Sequence, residues 1–257
     1  MKRYKIISTL ILFTFTIIIL TAVGAADNEL LFATGAEADA VYEALLGAEN
    51  TRLALGVYES DTGTTAELSE TELQAQIDAY NAQVNQYYAV SSPCYDSYKE
   101  THASCLRDSF ADMAFYRVEG GVLDYEIHSL SFDDTKTRAT VEMNLVSYNN
   151  WVVETETHNY TVQCCAGEVE LTALMVKEGD MWKFERHEEY HKLDNWIPQD
   201  VLNSETAEIG LYSMPEAQQA DVMEAANLTS TEYTSFADAI RAASQIQVEK
   251  ICPFTAG

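Results

Sequence analysis

Basic residues are scarce in this chain. Its 257 residues hold 15 Lys plus Arg against 41 Asp plus Glu, a formal net charge of −26. Lys2, Arg3 and Lys5 all precede the first apolar run, so the part after residue 25 carries 12 basic against 41 acidic residues, a net −29. A field of that sign repels phosphate backbones and anionic lipid, and we expect no nucleic-acid partner. Two metal signatures are also missing: no C-x2-C pair and no Asp-x-Asp-x-Asp-Gly loop occurs. Without them a thiolate zinc site and an EF-hand are not expected, and no cofactor is predicted. The acidic surface is read as diffusely screened by cations. After the first apolar run no second stretch reaches membrane length, and neither an internal repeat nor a low-complexity linker is present.

What is there begins with a leader. The three basic residues are followed by an apolar or hydroxylated run of 18 residues, Ile6 to Val23, and then by Gly24-Ala25-Ala26. A basic start, a hydrophobic middle and a small-residue exit are the parts of an export signal. Cleavage after Ala25 makes residues 1–25 a signal peptide. The run also reaches the lower limit of a membrane span, roughly 17 residues, so an uncleaved signal-anchor stays open and the membrane is a partner only in that case. No cysteine follows the run, which removes a lipoprotein anchor. The expected location is secreted or cell-surface.

Five cysteines, Cys94, Cys105, Cys164, Cys165 and Cys252, are disulfide candidates in an exported chain, and the odd count leaves one over. Cys94 and Cys105 form a local pair only if the helix between them breaks, because eleven helical residues span roughly 16 Å and a disulfide needs Cα atoms within about 7 Å. On a strand, adjacent Cys164 and Cys165 point to opposite faces.

The periodicity changes midway. Val41, Leu45 and Leu46 recur at helical intervals within 27–56, and 59–67 reads as a loop. Ser69 with Glu72 three residues on is a capping box, followed by the stripe Leu73, Ile77, Tyr80, Val84 and Tyr87. A second helical stretch is expected from Pro93 through Met113 to about residue 116, stopped by Gly120-Gly121. Alternation then takes over. Leu123, Tyr125 and Ile127 form one strand face; Asp133 to Lys136 is a turn; Ala139, Val141, Met143 and Leu145 alternate; Asn149-Asn150 reads as another turn. Strands follow at 151–162 and around Val169 to Met175, and Glu178-Gly179-Asp180 leads into the last strand. Short turns make neighbours antiparallel, and helices followed by an antiparallel sheet give an α+β domain of about five strands. In the tail, Pro215 to Ala226 is a helix candidate, and Thr229 to Glu232 has capping-box spacing before a stripe of Tyr233, Phe236, Ile240 and Ala243.

A Tyr-rich helix, Asp78-Ala79-Tyr80-Asn81 to Gln86-Tyr87-Tyr88, precedes the sheet, whose last strand opens Gly179-Asp180-Met181-Trp182-Lys183-Phe184. This pattern resembles the NTF2-like (cystatin-superfamily, SnoaL-like) domain over about residues 68–192. The resemblance implies a strongly curved antiparallel sheet, a cone packed on N-terminal helices. It leaves 26–67 as an N-terminal helical and loop segment and 193–257 as a helical C-terminal extension packing on the domain or on a partner. The scaffold hosts enzymes, binding modules and assembly domains alike, and no catalytic residue matches, so no catalytic residue is assigned.

His187-Glu188-Glu189-Tyr190-His191 matches H-E-x-x-H literally. In zinc peptidases that pattern works on a helix, where both imidazoles reach the metal and the glutamate acts as general base. Here it continues an alternating strand, which puts Glu188 on the face away from His187 and His191. A metallopeptidase is therefore the alternative reading, not the leading one. Trp182, Arg186, Glu188 and Tyr190 are expected on one strand face looking into the cone, which would hold a small polar or apolar ligand, the charged pair favouring a polar one. Asn159-Tyr160-Thr161 and Asn227-Leu228-Thr229 are glycosylation candidates. The expectation is an exported non-catalytic module that binds a small ligand, self-associates or joins a cell-envelope partner.

Overall fold

The computed structural model describes residues 35–57, 69–107, 115–191, 198 and 215–252. The leader at 1–25 and the loop at 59–67 lie outside them. Residues 31–257 make one unit.

Three helices come first: α1 (Ala36–Leu53), α2 (Glu70–Tyr87) and α3 (Tyr95–Arg107). The capping box that opens α2 is complete. The Glu72 backbone N–H donates to the Ser69 hydroxyl at 3.3 Å, and the Ser69 backbone N–H donates to the Glu72 carboxylate at 2.9 Å. Such a cap stabilises a helix by about 1 kcal/mol. Helix α3 starts close to where Pro93 predicts but ends at Arg107. Phe115 and Tyr116 already lie in a strand.

Four long strands follow: β1 (Phe115–Phe132), β2 (Arg138–Glu154), β3 (Tyr160–Glu178) and β4 (Met181–His191). They form an antiparallel sheet in chain order, and a two-residue β5 (Glu232–Tyr233) adds to β3. The α+β reading with a sheet of about five strands holds, but two boundaries differ. Gly120-Gly121 does not stop a helix; it lies inside β1. A Cβ at Gly120 would sit 2.7 Å from the Leu53 carbonyl oxygen, so glycine lets the end of α1 lie directly on the strand. Asn149-Asn150 is not a turn either, since β2 runs through it to Glu154 and the chain reverses at 155–159. Asn150 is fully buried, and its amide donates to the carbonyls of Ala243 and Ile246, both at 3.3 Å. An amide that bonds across the fold has the same letter code as one that makes a turn.

Register shifts after Arg117, Val122 and Ile127 in β1, and at Glu185 in β4, curl the sheet. Its two faces carry separate cores. On the inner face Ala139, Val141, Met143 and Leu145 meet Leu171, Ala173, Met175, Trp182 and Phe184, and α1 and α2 fill the concavity with Val41, Leu45, Tyr80 and Val84, joined by Tyr88 just past the end of α2. Each large apolar side chain so buried contributes about 1.5–3 kcal/mol. On the outer face Val146, Val152, Val162, Cys164 and Ala166 are covered by α4 (Glu216–Ser230), α5 (Phe236–Ala243) and α6 (Val248–Ile251). Helices α4 and α5 thus pack on the sheet itself, and α6 packs on α4. Thr229 is no N-cap: its hydroxyl donates to the Ala226 carbonyl in the last turn of α4, and α5 opens at Phe236.

Candidate functional site

Burial selects one charged cluster from the many carboxylates. Glu49 lies on α1 in the apolar stripe after Val41 and Leu45 and is fully buried. Its Oε2 accepts from Arg52 Nε at 2.9 Å, and its Oε1 lies 3.3 Å from His187 Nδ1 on β4. Burial alone would raise the carboxyl's affinity for a proton; the His187 and Arg52 contacts outweigh it and hold the group below its ordinary range. A ladder of rings leads away from the pair. His187 meets Phe184 edge-on at 5.2 Å, Phe184 meets Tyr88 at 5.2 Å, and Tyr88 meets Tyr98 at 5.4 Å. The Tyr88 hydroxyl donates to the Ala48 carbonyl at 2.8 Å, and burial pushes its ionisation up. Nearby, His102 stacks on Tyr80 at 3.8 Å and its Nδ1 accepts from the Gly56 N–H at 3.1 Å. Burial pushes the His102 pKa down to about 4, so the ring is neutral at physiological pH.

Sequence reasoning missed Glu49. The available signal was a carboxylate on the buried stripe of an otherwise apolar helix face, which requires a partner from elsewhere in the fold.

The H-E-x-x-H segment is extended, as its alternation predicts: β4 runs through His191. His187 turns inward to Glu49, while Glu188 is exposed on the other face. The side chain of His191 lies outside the described positions. Among the described residues no group of three His, Cys, Asp or Glu is arranged to hold a metal ion.

The expected ligand-facing set does not share a face. The bulge at Glu185 pairs Met175 with Phe184 and Leu174 with Arg186, so the alternation changes phase between Trp182 and Arg186. Trp182 is buried in the concave core, packs on Phe132 at 5.6 Å, and donates its indole N–H to Glu37 at 2.8 Å. Arg186 and Glu188 are exposed on the opposite face. Tyr190 follows them in strand parity opposite Glu170; its side chain is not described. One extra residue in a strand moves every following side chain to the other face, and nothing in Glu185 announces it.

No disulfide joins the cysteines. Cys94 immediately precedes the unbroken α3 and Cys105 lies in its last turn, roughly 16 Å away by helix rise. Cys164 faces the C-terminal helices with Cys252, both buried. Cys165 takes the other face, where Arg117 acts on its charge. Asn159 is half-buried in the β2–β3 turn and donates to the Glu232 carboxylate at 2.8 Å, whereas Asn227 is exposed on α4 with Thr229 buried.

A groove of about 370 Å³ opens between α4 and α6, lined by Asp221, Glu224 and Lys250 over Leu228 and Ile251. Among the described residues no helix is long and apolar enough to cross a membrane.

No family model and no curated protein matches the chain. It is similar to a solved structure, the crystal structure of the intermembrane space region of chloroplast protein ARC6. That match has a TM-score of 0.35 and 13% identity over 52% of this chain and 100% of that one. A likeness so loose carries no argument about fold or activity.

Proposed function

We propose that this protein is an exported, non-catalytic module of NTF2-like build that works through its exterior, assembling with copies of itself or with a cell-envelope partner. One observation carries the reading: the concave face of the curved sheet, where a cone would hold a small ligand or a reaction, is occupied by α1 and α2. Phe184, Met143, Leu145, Leu171, Met175 and Tyr88 are each below 3% exposed there. The buried carboxylate that reaches this core, Glu49, has its neighbours Arg52 and His187 within the chain. Such a filled interior supports assembly over carriage of a small molecule. The strand conformation of H-E-x-x-H disfavours the peptidase, because its general base faces away from His187.

Light scattering across a wide concentration range tests the reading on the chain from Ala26 onward, which keeps the whole unit of residues 31–257. We expect a mass above that of the monomer, rising with concentration, or a stable complex once envelope extract is added. A lone monomer under both conditions, co-purifying with a tightly held small molecule, overturns it. Stoichiometric zinc after dialysis, lost in His187→Ala, would return the peptidase to first place.

A further inference from the structure

We infer that the free edge of β1 docks an extended segment of another protein in which basic and apolar residues alternate, and that this segment adds to the sheet as a further strand. Such docking rests on the assembly reading above and gives it a surface. β1 stands at the end of the strand order, and among the described residues only β2 pairs with it. Helix α1 lies against β1 as far as Val122, whose N–H donates to Asn50 Oδ1 at 3.1 Å. From Asp124 onward no strand of the described residues lies beside the far edge. The Tyr125 N–H is satisfied locally, donating to the Asp124 carboxylate at 2.9 Å. Open edges are commonly blunted by lysine or proline, and residues 118–132 contain neither.

The side chains along this edge select the occupant. Asp124 to Ile127 pair in unbroken register with Val146 to Met143, so they alternate strictly between faces. Asp124 and Glu126 lie opposite Val146 and Asn144 on the outer face, and Tyr125 and Ile127 opposite Leu145 and Met143 on the inner one. Tyr125 is 42% exposed, an unusual position for a large ring. A strand added here runs about 4.8 Å from β1. Two of its residues, i and i+2, then fall beside Asp124 and Glu126, and the one between them falls beside Tyr125. Opposite charges in such cross-strand positions stabilise, and like charges destabilise. The outer positions therefore require Lys or Arg, and the middle one an apolar side chain. Glu142, Glu168 and Glu170 stand behind Asp124 and Glu126 on the same face, and no Lys or Arg follows Arg117 in β1.

A second copy is the wrong occupant. Two antiparallel β1 strands meeting at a twofold axis on Tyr125 would set Asp124 of one copy against Glu126 of the other, and each chain carries a net −26. The carboxylates thus oppose self-pairing while leaving the backbone open to a basic strand. Main-chain hydrogen bonds give the affinity, and the alternate side chains give the selection.

The probe is a short peptide alternating lysine with valine, titrated at physiological salt against the full-length chain held in mild detergent. Fluorescence anisotropy and amide hydrogen exchange follow it. We expect saturable binding that slows exchange across residues 124–132. The same peptide N-methylated throughout keeps its charge and loses its donors, and should bind about tenfold more weakly or worse. Asp124→Lys with Glu126→Lys should lose the lysine peptide about tenfold and take up one alternating glutamate with valine. Glu216→Lys with Glu249→Lys makes the same charge change at exposed positions on the C-terminal helices, and should shift binding less than about twofold because salt screens distant charge. Equal loss in both double variants, or undiminished binding of the methylated peptide, reduces the contact to plain charge attraction and overturns the edge. The methylated arm needs no variant, so the test stands even where a double variant misfolds. Protection of residues 124–132 that grows with protein concentration, without peptide, gives the edge to a second copy and overturns it too. A complex formed in envelope extract that leaves these residues exchanging as before sinks the edge and keeps the assembly reading. Peptide binding as expected, with no complex in extract, keeps the edge and sinks that reading.

Discussion

The two faces of the sheet are held by different means. The inner core interlocks large side chains, Tyr88, Phe184, Leu45, Leu171 and Met143, from two long helices and three strands. The outer core sets mostly alanine and valine against helices of 15, 8 and 4 residues, which the buried Asn150 amide and the short β5 pairing with β3 tie to the sheet. Helices of four to eight residues do not persist alone. The inner layer therefore defines the fold, while the outer layer is a cover whose hold depends on a few contacts.

The largest break in that contrast comes from Phe184→Ala. It removes a ring that meets Tyr88 and His187 at the centre of the inner core, and should cost about 3–5 kcal/mol. Denaturant unfolding should show the whole protein failing together, and selective loss of the C-terminal helices alone would contradict the contrast. Acid acts on the inner layer next. His102 has its folded pKa depressed from 6.5 to about 4, so the unfolded chain binds its proton first. Stability is complete above pH 6.5 and falls as pH drops toward 4, by up to about 3 kcal/mol. Glu49, held below its ordinary pKa, adds its own loss only at lower pH. His102→Gln should flatten the upper window in a pH series of melts; an unchanged slope there would remove the ring from the account. The smallest effect belongs to the outer layer. Asn150→Ala gives up two bonds to the C-terminal helices, about 1–3 kcal/mol. Hydrogen exchange should speed up in residues 216–251 while the amides of Met143 and Leu171 keep their protection. Uniform acceleration would mean that the two cores unfold as one.

Much of this layout was legible in the residues. The capping box at Ser69, the stripe through Ile77, Tyr80 and Val84, and the alternation of Ala139 to Leu145 each describe contacts within a turn or along a strand, and each appears as read. The failures share one cause. Asn149-Asn150, Gly120-Gly121 and the set from Trp182 to Tyr190 were read locally, yet their roles come from groups distant in sequence: the end of α5, the end of α1, and the β3 partner that accommodates the Glu185 bulge. Glu49 belongs with them, since its partner His187 is distant in the chain.

The amino-acid order alone determined the helix-then-sheet succession, the extended state of the H-E-x-x-H segment and the acidic character of the surface, because periodicity, turn chemistry and charge are local or additive. Only tertiary packing decided which carboxylate is buried against an imidazole, which face each residue after Glu185 takes, and which cysteines share a cluster. Those outcomes depend on how separate elements meet, and a single bulge is enough to reverse them.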